Sequence, residues 1–205
     1  MAGMRRSNVS LAQKTVRSIR LFGLLVAQLC AYSMLSALCF ACPLYLFDCS
    51  GSSTLYGAVA AIAFVPGVLA TPAGGILADR GRHRGVLVVL GIVLMAASLL
   101  FIPMKRSLPL AVVVVAMLCV QYGIQSLLKP MLQIETVHMM GQEKVECATA
   151  LVLQVTMASN ILGPVVGTAV YGCFGIDALC ETAALTFAMS ACCSGTHSSE
   201  MPHLE

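Results

Sequence analysis

Apolar residues run through this chain in long blocks, and the charges fall between them. Charge-free stretches cover Leu21–Phe47, Cys49–Ala78, Gly85–Met104, Ser107–Leu128, Cys147–Ile176 and Thr182–Ser199. Roughly 20 apolar residues in a helix cross the hydrocarbon core of a bilayer, and the first five stretches meet that length. The sixth fades near Cys193 and borrows residues around Ile176–Glu181. In lipid a segment must satisfy its own backbone N–H and C=O groups, which leaves helices or a closed barrel. Barrel strands alternate between lipid-facing and lumen-facing positions, and runs such as Val112–Val115 do not alternate. The pattern therefore predicts an all-α membrane protein of six transmembrane helices, at about 21–47, 55–78, 85–104, 107–128, 147–172 and 176–193. A basic N-terminus over 1–20 precedes them and a polar tail over 194–205 follows.

Composition supports lipid as the solvent. Apolar residues make up 59% of the chain and charged ones 10%, with no tryptophan. A soluble domain carries about a quarter charged residues, because water must cover its surface. The apolar core of Leu21–Phe47 is about twice the length of a signal-peptide h-region, so it reads as a retained helix rather than a cleaved leader. The ten cysteines lie mostly inside apolar stretches, at Cys30, Cys39, Cys119, Cys180 and Cys192 among others. There they serve as small buried apolar residues. Cys39-x-x-Cys42 has no second pair and no histidine beside it, so neither a metal nor a redox cofactor is expected.

Charge placement sets the expected orientation. Arg5, Arg6, Lys14, Arg17 and Arg20 precede the first helix, Arg80, Arg82 and Arg84 follow the second, and Lys129 and Lys144 follow the fourth. Against these ten, only Lys105 and Arg106 lie in an alternate connection. The positive-inside rule puts the N-terminus in the cytoplasm, and six crossings return the C-terminus there, in a multi-pass protein of the inner or plasma membrane. Asp48–Thr54 reads as a polar turn, Pro103 and Pro109 as brackets of a short outer loop. The inner loop from about Lys129 to Glu146 divides the chain into two three-helix units.

Between the second and third helices stands Gly74-Gly75-Ile-Leu-Ala-Asp79-Arg80-Gly81-Arg82-His83-Arg84. This resembles the cytoplasmic signature of the major facilitator superfamily, G-x-x-x-D-R followed by a glycine and further basic residues. The glycine at 81 falls one position early, and His83 takes a basic slot. Gly75 is expected to let the second helix approach a neighbour, and the arginines to pair with Asp79, anionic lipid or partner carboxylates. The fifth helix carries Ser159-Asn-Ile-Leu-Gly163-Pro164-Val-Val-Gly167-Thr168. It is similar to the fifth-helix motif of drug–proton antiporters, with small residues where close packing is needed. The stretch from Gly123 to Gly172 also resembles macrolide-efflux and siderophore-exporter members.

The resemblance implies the N-terminal half of a transporter that works by alternating access, exporting a small amphipathic molecule. Twelve helices in two related halves make up such a transporter, so this chain is expected to be half-length, as a truncated gene product or as a half that pairs with itself or a second six-helix body. A non-transporting membrane scaffold is the alternative. In the family the substrate path follows the first and fourth helices of each half, so intramembrane polar residues are its candidates. Gln28, Tyr32 and Ser36 share one face of the first helix, Gln121 and Gln125 share a face of the fourth, and Gln154 and Asn160 lie on the fifth. Glu181 is the candidate proton site. No nucleophile motif, nucleotide loop or nucleic-acid patch appears, so the expected partners are lipid and a small-molecule substrate, and an enzyme is not expected.

Overall fold

The computed structural model describes the backbone of residues 2–79, 83–141 and 144–196, and the side chains of 22–77, 85–137, 140–141 and 144–193. Five helices account for it: α1 (Ala2–Ser50), α2 (Ser53–Asp79), α3 (His83–Ser107), α4 (Leu110–Met140) and α5 (Val145–Thr196). Each contains a segment long and apolar enough to cross a membrane, from Phe22–Ser50 in α1 to Val145–Cys193 in α5. No strand occurs among the described residues. This is an all-helical, multi-pass membrane protein.

Glycine and the first polar residues mark the breaks. Gly51 takes φ +65° after α1, a left-handed turn open to glycine at no steric cost. Ser52 then accepts a bond from the Leu55 N–H through its Oγ at 3.3 Å, capping the start of α2. Gly141 (φ +92°) ends α4 in the same way.

Two elements run further than the sequence pattern suggests. Pro103 lies inside α3 rather than at a loop edge. α4 passes through Lys129 and Pro130 to Met140, replacing most of the loop expected over 129–146. The extension is held by packing: Met131, Leu132, Glu135 and Thr136 are all buried. Gln133 Nε2 also donates to Thr149 Oγ1 at 3.1 Å, tying the end of α4 to the start of α5.

α5 has 52 residues and a break at Gly175, whose φ of 82° and ψ of 176° are not helical. The two arms pack on different partners. Before the break, contacts advance in step with α1: Ser159 with Leu29, Gly163 with Ser33 and Ser36, Gly167 with Ala37, and Tyr171 with Asp48. This arm is parallel to α1. After the break they run against α3, with Asp177 on Lys105 and Phe187 and Ala191 on Gly91. α2 and α4 are again parallel, Phe64 and Gly67 meeting Tyr122, and Gly74 meeting Ser126, Leu127 and Pro130.

The core sits between α1, α4 and the arms of α5, around Tyr32, Leu35, Leu38, Leu118, Leu132, Leu179 and Phe187. α1 is central and half-buried, whereas α2 is mostly exposed and, among the described residues, contributes Val59 and Ala63 to the buried apolar core. Large apolar residues point outward, among them Ile62, Val68 and Leu69 on α2, as suits a bundle set in lipid.

Candidate functional site

The helix-five motif is built into a contact with α1. A Cβ on Gly163 would stand 2.5 Å from Ser36 Cβ and 2.6 Å from the Ser33 carbonyl oxygen. One turn on, a Cβ on Gly167 would lie 2.8 Å from Ala37 Cβ and 2.9 Å from its Cα. No side chain fits at either position without moving backbone. Buried Ser159 donates its Oγ hydrogen across the same seam to the Leu29 carbonyl at 3.2 Å and to its own helix at Val155 O, 2.8 Å. Pro164, between the two glycines, has no N–H to donate.

On α2 the two adjacent glycines of the signature have separate fates. Gly74 is the packing glycine: a Cβ there would reach Pro130 Cγ at 3.1 Å and the Ser126 carbonyl at 3.2 Å. Gly75, expected from its spacing to serve that contact, is exposed with nothing within 4 Å of its Cβ position. Adjacent helical residues point about 100° apart, so one contact excludes the other. Asp79 is the last residue of α2. Arg80 and Arg82 lie outside the described residues, as do the side chains of Asp79 and Arg84.

The polar candidates divide by burial. Gln28, Tyr32 and Gln121 are 3%, 1% and 0% exposed, sealed inside the bundle. The Cys39 thiol donates to Gln121 Oε1 at 3.3 Å, linking α1 to α4. Tyr32 Oη and Gln121 Nε2 have no hydrogen-bond partner among the described residues. Gln125 and Ser36 are half-buried, and so is Tyr122, whose ring meets Phe64 edge-on. Gln154, Asn160 and Glu181 are exposed. Between the first and fourth helices, the Cys39 thiol and the Gln121 amide meet inside the bundle. A molecule reaching Tyr32 or Gln121 must open the bundle.

Three polar features escape a reading of spacing alone. Glu135 is an acid buried to 4% exposure within the span of α4, engaged with its surroundings, and hidden while the helix is taken to stop before Lys129. Lys105 pairs with Asp177, 72 residues away, and Tyr171 bonds Asp48 across 123. No periodicity links residues on different helices.

No curated protein and no solved structure gives a match to this chain. Residues 24–194, most of its length and all of the seams described above, match the family described as the Major Facilitator Superfamily. An all-helical chain with this signature and this match belongs to the Major Facilitator Superfamily.

Proposed function

We propose that the chain forms a six-crossing half of a transporter of the major facilitator type, which exports a small amphipathic molecule by alternating access. The observation that supports it best is the order of helix contacts. With α5 divided at Gly175 into crossings of 145–174 and 176–196, the first and fifth crossings are parallel, the second and fourth are parallel, and the third opposes the sixth. Exchanging two three-helix units maps the first of these pairs onto the second, which is the internal repeat expected of such a transporter. An unbroken α5 of 52 residues would extend roughly 78 Å, more than twice the bilayer core. In this reading both termini face the cytoplasm, and the face bearing Gln154 and Asn160 meets a second six-helix body across the substrate path. Sealed Gln28, Tyr32 and Gln121, with half-buried Gln125, are reached when the bundle opens during the cycle. The acids available for proton coupling are exposed Glu181 and buried Glu135.

Topology and activity have separate tests. A C-terminal tag lies on the same side as a maleimide label at Cys147 if there are six crossings, and on the opposite side if α5 crosses once. For activity, membranes holding the chain release an amphipathic dye faster than empty membranes, and Asp79→Asn removes the gain. Equal release with and without the chain would favour a scaffold.

A further inference from the structure

At one end of the bundle, three changes of chain direction lie close together: 51–52 between α1 and α2, 108–109 between α3 and α4, and the break at Gly175. Polar side chains within a few residues of these points reach across to one another. Lys105 Nζ, near the end of α3, meets Asp177 Oδ1 at 2.5 Å. The same ammonium stands 5.4 Å above the ring of Tyr45 on α1. Tyr45 packs edge-on against Tyr171 at 6.3 Å between centroids, and Tyr171 Oη donates to Asp48 Oδ2 on α1. Tyr171 and Asp177 flank Gly175 on either side.

We propose that Lys105, Tyr45, Tyr171, Asp48 and Asp177 form a polar clasp that fastens the Gly175 turn to α1 and α3 and closes this end of the bundle. Lys105 is its hub. Its side chain is 11% exposed, so the charge is held against protein rather than left in water, and Asp177 at 44% supplies the counter-charge from the solvent side. A cation facing an aromatic ring and a carboxylate together is attracted by both. The clasp gives a physical role to Lys105, one of the two cations that depart from the charge distribution of the other connections. It also explains how a turn at a single glycine is kept in register: Tyr171 holds the arm before it, Asp177 the arm after it. Lys105 and Asp177 thus add a charge pair between distant segments to a bundle whose other seams are built on glycine contacts.

Charge exchange in the full-length chain tests this. Thermal unfolding in detergent is followed for the parent, Lys105→Met, Asp177→Asn and the double exchange Lys105→Asp with Asp177→Lys. Each single variant is expected to unfold roughly 2–4 °C lower, and the exchange to recover at least half of the summed loss. Tyr171→Phe, which leaves the rings stacked and removes only the bond to Asp48, is expected to loosen the turn so that maleimide reacts faster at buried Cys180. Single variants that unfold with the parent overturn the clasp. So does an exchange no more stable than the two singles combined, or a Cys180 rate unchanged in Tyr171→Phe.

Discussion

The α1–α5 and α2–α4 seams are two parallel helix pairs that use the same device to different depths. Along α1–α5, both helices offer small residues: Gly163 and Gly167 on one side, Ser33, Ser36 and Ala37 on the other. Backbones approach until an added Cβ would fall 2.5–2.8 Å from its nearest neighbour. Along α2–α4, Gly67 lies over the Tyr122 carbonyl and Cβ and Gly74 over Pro130 Cγ and the Ser126 carbonyl, and an added Cβ would find 3.1–3.3 Å. The closer of the two seams is the one with small residues on both helices. Under the proposed two-unit arrangement these seams are equivalent, so the difference between them departs from an exact repeat.

That difference can be broken at a graded series of positions. Gly163→Ala and Gly167→Ala should be the most damaging, costing about 3 kcal/mol or more because carbonyl and Cα atoms of α1 must yield. Their thermal unfolding in detergent, or recovery from membranes, is the measurement. Gly74→Ala should cost about 1 kcal/mol, with Pro130 and the α4 backbone shifting a few tenths of an ångström. If Gly74→Ala proves as damaging as Gly167→Ala, the seams are equally tight and the comparison fails. Ser159→Ala removes the bond to Leu29 O and should cost about 0.6 kcal/mol, the average for a polar contact between membrane helices. Gly75→Ala should change bundle stability by less than about 0.5 kcal/mol, its Cβ meeting open space. A dye-release defect in that variant at unchanged stability would assign Gly75 to a contact made outside this bundle.

Much of this architecture is legible in the residue pattern. Charge-free runs of about 20 residues require spanning helices whatever their neighbours, because lipid offers the backbone no other partner. The glycine and serine spacing of 159–167 likewise announces a packing face, since only small residues at helical intervals let two helices touch. The partner on the other side was not announced. Gly74 and Gly75 are indistinguishable by type, and the rotation of α2 against Pro130 selected one of them. Pro130 looks like a stop signal, yet α4 passes through it because Met131, Leu132, Glu135 and Thr136 gain burial beyond it. Gln28, Tyr32 and Gln121 share helical faces in the sequence, but only assembly shows those faces turned inward.

Composition and spacing by themselves determined that the chain is helical, that it lives in a membrane and which residues are small enough to pack. These follow from local physics, the bilayer thickness and the backbone's need for hydrogen bonds. Tertiary structure decided which helices pair, which of two neighbouring glycines meets a partner, that Glu135 is enclosed and Glu181 is not, and that Lys105 finds Asp177. Those outcomes depend on the rotation and register of one helix against another, which are set by the fit of whole surfaces and carry no period within any single segment.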